Sequence, residues 1–288
     1  MTIDILICTI DEGITAVPSC LMEKMEGVGY VVSFQYSDAK YLDFIPDTLR
    51  NRDDVTLTTL EGRGLSANRN NAMDHARADI CVIADDDCRY TPERLDMLLE
   101  AFDRHVEADV LMMQSLGPDG QLLRTYPECS FNLHCPPKGY YPISIDLAFR
   151  RENMMDIAFD ERFGLGSKYM EGGEEGVWVE TAKRMGKTVL YVPQPLAQTM
   201  EQPKSGDDIF DNPRKLFAYG ALSYFVYGLT ALLRCLKFAV IEAPRHHASV
   251  MNAYKGMLKG IRYIMRDGRK IEKDKIVKRE KHQKQWRI

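Results

Sequence analysis

Residues 81–95 read CVIADDDCRYTPERL, with three aspartates set directly behind an apolar run. Residues 80–84, ICVIA, are apolar at every position, the pattern of a short buried strand. Thr91, Pro92 and Glu93 then open a helix, with Thr91 as N-cap and Pro92 in the first turn. Leu95, Leu98, Leu99 and Phe102 recur at i, i+3, i+4 and i+7, a stripe that faces a core. The aspartates therefore occupy the connection between a buried strand and a helix. Carboxylates packed side by side repel, and the pKa of each rises unless a cation compensates.

The same alternation extends outward. IDILIC (3–8), YVVSFQ (30–35), VTLTTL (55–60) and VLMM (110–113) read as strands. GLSANRNNAMDHA (64–76) reads as a helix entered through Gly64, with Leu65, Ala72, Met73 and Ala76 on one side. Strand alternating with helix predicts an open α/β sheet with a parallel core. Ligands of such sheets bind beyond the carboxyl ends of the strands, where these aspartates stand. Residues 114–170 are rich in Gly, Pro and aromatics and predict irregular loops and strands around a pocket. GGEEGVWVETAKRMG (172–186) returns to helix with Gly186 as C-cap, and TVLYVP (188–193) is a strand ended by Pro193.

Composition sets broad limits. The chain has 288 residues, 45% hydrophobic and 28% charged, values of a globular protein. Its opening, MTIDILICTIDEG, carries acids early and no basic leader, so no signal peptide is expected there. Seven cysteines, odd in number and scattered, suit reduced thiols in a cytoplasmic protein. Net charge is −4, yet residues 262–288 hold eleven Lys/Arg against four Asp/Glu, so that tail is +7 and the remainder −11. A solvated lysine-rich helix or an anionic partner accounts for the tail; a nucleic-acid partner is not expected, since no RNA-binding motif accompanies it. Residues 216–233 contain no charge, between Lys215 and Arg234. Three readings stay open for them: a membrane span, a helix pair on an anionic membrane surface, or a helix of the core or of a homo-oligomer contact.

Asp85 and Asp87, one residue apart at a strand end, can both face one hard cation. Mg²⁺ or Mn²⁺ held so keeps positions open for phosphate oxygens.

Four ordered stretches give the sequence its resemblance to glycosyltransferase family 2: GLSANRNNAM, VIADDDCRYTPERL, LAFRRENM with FDERFG (147–164), and GGEEGVWVETAKRMGKTVLYVP. The resemblance implies the GT-A fold, a Rossmann-like open mixed sheet flanked by helices, over residues 1–205. A helical, membrane-seeking extension with the basic tail would then fill 206–288. It also implies an inverting transfer of a sugar from a UDP- or GDP-linked donor to an acceptor hydroxyl. A glycan or glycolipid acceptor, as in surface-polysaccharide synthesis, and a peripheral place on the inner face of the plasma membrane fit that reading. Residue by residue, it places Mn²⁺ or Mg²⁺ on Asp87 with Asp85. It places Thr9, Asp38, Gly64, Arg69, Asp85 and Asp86 around the donor. Glu175, standing where the family has Asp, is the implied base, with Glu174 as the alternative. The family's histidine after the last strand is missing from YVPQPLAQTMEQP, so the metal would rest on aspartates, phosphates and water. A nucleotidyltransferase would want a Gly-rich basic loop after the first strand, and CTIDEGITAVP has one Gly and no Lys or Arg. A catalytically silent scaffold of a polysaccharide-assembly complex remains the non-enzymatic alternative, resting on Glu175 and the missing histidine.

Overall fold

A computed structural model describes residues 1–201 and 209–266. The basic tail beyond 266 therefore lies outside the described residues. The chain divides into two compact units, Met1–Met155 with Thr181–Gln202, and Asp156–Glu180 with Pro203–Ile288.

The first unit is built on one nine-stranded sheet. Its strands are β1 (Ile3–Ile10), β2 (Val28–Tyr36), β3 (Val55–Glu61), β4 (Ile80–Asp85), β5 (Cys88–Arg89), β6 (Val110–Leu116), β7 (Phe131–Asn132), β8 (Leu147–Arg150) and β9 (Val189–Thr199). The order is β3-β2-β1-β4-β8-β6-β9-β5, with β7 also paired to β9. β1 to β4 are mutually parallel, and β8 runs antiparallel between β4 and β6. The expected open mixed sheet is thus present. β1 is apolar on both faces because both are covered: Ile3, Ile5, Leu6 and Ile7 are all buried.

The helices begin with α1 (Asp47–Asn51), α2 (Leu65–His75) and α3 (Pro92–Arg104). Thr91 caps α3 by accepting from the Arg94 N–H, and Leu95, Leu98 and Phe102 are buried as their spacing requires. α2 departs from its apolar reading. Ala72 and Met73 are buried, but so are Ser66, Asn68 and Arg69. A helix with this polar inner face is held by hydrogen bonds, and those bonds shape the site.

Pro193 does not end its strand. β9 runs on through Pro193 and Pro195 to Thr199. Its pairing with β6 is irregular around Met112 and Gln114, and β7 and β5 pair with its two ends only. Prolines are tolerated where the ladder asks for no N–H.

The second unit contains α4′s successor elements: after α4 (Arg151–Met154), helix α5 (Glu174–Arg184) begins in it, followed by α6 (Pro213–Tyr227), α7 (Ala231–Glu242) and α8 (250–266). Gly186 takes φ +80° behind α5, and the Lys187 N–H reaches back to the Ala182 carbonyl, the expected glycine stop. α6 and α8 cross with their backbones touching: a Cβ on Gly220 would lie 2.0 Å from the Met257 carbonyl oxygen, and one on Gly260 2.0 Å from that of Phe217. Trp178 is core, stacked on Phe159 at 5.4 Å.

Candidate active site

The three aspartates are not equivalent. β1 and β4 pair in parallel with Cys8 opposite Asp85, so Thr9 falls level with Asp86. The Thr9 hydroxyl donates to Asp86 Oδ2 at 2.5 Å, and the Cys20 thiol donates to the Asp86 carbonyl at 3.0 Å. Gly13 closes over this pair: a Cβ there would meet Asp86 Oδ2 at 2.5 Å and Thr9 Oγ1 at 2.6 Å. Asp86 is thus turned inward. Burial raises its pKa, and Asp85 and Asp87 add to the rise against the Thr9 hydrogen bond. Asp86 and Asp87 form the turn after β4, and Asp85 and Asp87 take partners other than Thr9.

Asp85 is held by Arg69, whose Nη2 donates to Oδ1 at 3.2 Å. Arg69 is 1% exposed, a guanidinium buried beneath a strand end. Its helix is docked by Asn68, which donates from Nδ2 to the Thr9 carbonyl at 3.0 Å and accepts from the Ser33 hydroxyl at 2.6 Å. The polar face of α2 therefore ties the carboxyl ends of β1 and β2 to the guanidinium under Asp85. Gly64 caps α2 at φ +141°, a backbone that side chains rarely adopt.

Asp87 is held from the other flank. Its Oδ2 accepts from the Thr199 hydroxyl and, at 3.2 Å, from the Glu201 N–H. Its carbonyl accepts from the Met200 N–H at 3.0 Å, and the next residue, Cys88, pairs with Thr199. The end of β9 is thus what fixes Asp87. Thr199 lies 112 residues along the chain, and no sequence pattern announced it.

Asp85 and Asp87 offer carboxylate oxygens, the donor type that Mg²⁺ and Mn²⁺ prefer. Asp85 Oδ1 also accepts from Arg69, Asp87 Oδ2 from Thr199, and Asp87 Oδ1 from the Cys88 thiol at 3.7 Å. Among the described residues no three His, Cys, Asp or Glu side chains converge as a complete ligand set. A cation here would complete its shell with water and ligand phosphate oxygens.

Of the remaining candidates, Asp38 is exposed and caps its own 3₁₀ turn (Ala39–Phe44), accepting from the Lys40 N–H at 3.0 Å. The carboxylate that organises this corner is Asp11, which sequence reading missed. At φ +50° it accepts from the Ser37 N–H at 2.7 Å, the Ser37 hydroxyl at 2.9 Å and Arg63 at 3.0 Å. Its signal was available: an acid directly after the first strand, of a residue type that tolerates left-handed backbone.

Glu174 and Glu175 open α5 in the second unit, behind Gly172 and Gly173, both at positive φ. Glu174 is buried and Glu175 half-buried. Gly176 lets this first turn press on α6, since a Cβ there would meet Leu222 at 3.0 Å.

Residues 36–151, from the end of β2 through the aspartates to β8, match the family model described as glycosyl transferase family 2. No curated protein sequence matches the chain. Among solved structures, S. aureus TarS 1–349 is 16% identical over 93% of this chain and 92% of that one, with a TM-score of 0.58. The same TarS fragment in complex with UDP gives a TM-score of 0.54 at 16% identity, over 88% of this chain and 74% of that one. In complex with UDP-GlcNAc it gives 0.52 at 16%, over 93% and 92%. At such identities the likeness is one of fold: this chain shares the GT-A sheet of TarS.

Proposed function

We propose that this glycosyltransferase moves a sugar from a UDP-linked donor to an acceptor hydroxyl, with inversion and with a divalent cation. The observation that carries the reading is the splitting of the aspartate run. Asp86 is locked inward by Thr9, while Asp85 and Asp87 are each fixed by a separate donor at the carboxyl edge of the sheet. TarS, the fold relative, is crystallised with UDP and UDP-GlcNAc, which makes UDP-sugars the first donors to try.

In this reading Asp85 and Asp87 would hold Mg²⁺ or Mn²⁺, which would supply Lewis-acid neutralisation of the leaving diphosphate. Arg69 orients Asp85. The acceptor oxygen forms its bond to the anomeric carbon as the bond from that carbon to the donor phosphate oxygen breaks. The electron pair leaves with the nucleoside diphosphate. The acceptor's proton passes to a carboxylate, assigned to Glu175 through the family resemblance, with Glu174 the alternative.

The test is UDP-sugar turnover by the intact chain with Mn²⁺ and then with EDTA. Turnover that stops with EDTA and in Asp87→Ala, and that stops in Glu175→Gln while UDP still binds, is expected. Full turnover by Asp87→Ala overturns the reading.

We also infer attachment to an anionic membrane surface. Pro213–His246, comprising α6, α7 and the short 3₁₀ turns after each, is apolar enough to cross a membrane by length and composition, yet one third of its most apolar window is buried. α7 buries Ala231, Cys235 and Ala239 and exposes Leu233, Leu236 and Val240, with Arg234 and Lys237 beside the apolar stripe. That pairing of stripe and cations suits a helix lying in the headgroup layer.

A further inference from the structure

A second built cluster stands on the same sheet edge and has no part in the scheme above. It centres on Asp146, wholly buried in the 3₁₀ turn Ser144–Asp146 that leads into β8. β8 pairs antiparallel with β4, Ile80 opposite Arg150 and Val82 opposite Ala148. The ladder ends there, and the turn that holds Asp146 packs against β4 and β6.

Asp146 is fully engaged. Its Oδ1 accepts from the Ser115 hydroxyl at 2.6 Å and from the Tyr126 hydroxyl at 2.9 Å, and its Oδ2 accepts from Arg124 Nη2 at 3.2 Å. Arg124 is not. Its guanidinium lies over the rings of Tyr141 at 4.3 Å, Tyr126 at 4.6 Å and Tyr140 at 5.6 Å, and its Nε–H is buried without an acceptor. The Tyr140 hydroxyl is likewise buried without a partner. Its ring is fixed edge-on against Phe131 and Tyr191 at 5.0 and 5.5 Å. Tyr141, whose ring the guanidinium covers, is 59% exposed and forms the outer edge of the cluster.

A buried donor left unmet is costly, and two in one cluster call for one explanation. Both groups can donate, so the missing group is an acceptor. A guanidinium edge gains most from an ionised oxygen, which it binds roughly twice as strongly as a neutral one. We propose that Arg124 Nε and the Tyr140 hydroxyl form a subsite for a carboxylate or phosphate carried by the sugar acceptor. The assignment to the acceptor rests on the reading of Asp85 and Asp87 as the donor side; the anion subsite itself does not.

The test uses the full chain saturated with UDP and Mg²⁺, so that the nucleotide site is filled. Inorganic phosphate and glucuronate are titrated separately at constant ionic strength, by calorimetry and by melting temperature. Saturable binding of either anion is expected, and which one binds tells a phosphoester acceptor from a uronic acid. Tyr140→Phe should weaken that binding tenfold or more without lowering the melting temperature, because its hydroxyl bonds to nothing in the fold. Arg124→Gln should weaken it further, with some loss of stability from the broken pair to Asp146. A wild type that binds UDP but neither anion overturns the subsite and leaves the donor reading standing. A wild type that binds an anion but not UDP does the reverse. Tyr140→Phe with unchanged anion binding also overturns the subsite.

Discussion

Thr9 donates to Asp86 at 2.5 Å across the gap between β1 and β4, and the two residues fall level because those strands pair in parallel register. This single bond explains how three aspartates can follow one another. The middle one is turned toward β1 and closed over by Gly13, and its neighbours bond to Arg69 and Thr199. The Thr9 and Thr199 hydroxyls and the buried Arg69 guanidinium offset part of the repulsion within the run.

Gly13→Ala tests that packing. The added methyl would overlap both Asp86 Oδ2 and Thr9 Oγ1, neither of which can swing away without losing the bond. Overpacking of this kind costs about 1–3 kcal/mol. Urea unfolding should show a loss in that range, and UDP binding with Mn²⁺ should weaken with it. A variant as stable as the wild type and binding UDP equally well would mean that Asp86 is not locked.

Asp87 has two jobs that substitutions can separate. Thr199→Val removes the hydroxyl that fixes Asp87 but leaves the carboxylate, so about 1 kcal/mol of stability should go and Mn²⁺-dependent UDP binding should fall severalfold. Asp87→Ala removes the carboxylate itself and should abolish the Mn²⁺ dependence altogether. If Thr199→Val proves as damaging to Mn²⁺-dependent binding as Asp87→Ala, the cation is not held by Asp87.

The sheet was legible because its strands are short apolar runs and its helices carry readable caps, as at Thr91 and Gly64. Legibility ended where tertiary pairing replaces local pattern. Pro193 and Pro195 look like strand breakers, and only the irregular pairing of β6 with β9 shows why they are not. Arg69 reads as a helix-surface cation, and only its place under the end of β4 buries it. Asp85 and Asp87 could be singled out from their spacing. Thr199 could not, since its link to Asp87 exists only once β5 has paired with β9.

Asp146 gives the enzyme a pH signature. Burial lifts its pKa from an ordinary 3.8 to about 7, against the opposing pull of Ser115, Arg124 and Tyr126. A raised folded-state pKa means that the folded chain holds a proton the unfolded chain has lost between pH 4 and 7. Stability from this group is therefore full below about pH 4, declines as pH rises and levels off above 7. The slope is at most about 1.4 kcal/mol per pH unit. Asp146→Asn should remove this component, so its melting temperature should fall less than the wild type's between pH 4 and 7. Parallel curves for the two proteins would show that Asp146 does not titrate in that window.

α7 carries the last prediction. Its buried face is made of small residues four apart, Ala231, Cys235 and Ala239, which bring it close to its neighbours without spending large apolar side chains. The large ones are left outside: Leu233 is 73% exposed and Val240 53%. Burying such a side chain is worth about 1.5–3 kcal/mol, so an unused stripe of them is a strong driving force toward an apolar surface. Arg234 and Lys237 beside it select an anionic bilayer, by about 1 kcal/mol per cation near the surface. The intact chain should therefore sediment with phosphatidylglycerol vesicles at low salt and less with phosphatidylcholine. Leu233→Glu with Val240→Glu should release it even while the basic tail is present. If the double variant still sediments, the tail alone makes the attachment. If the wild type ignores vesicles and forms dimers that the double variant does not, the stripe is instead a contact between two copies of the chain.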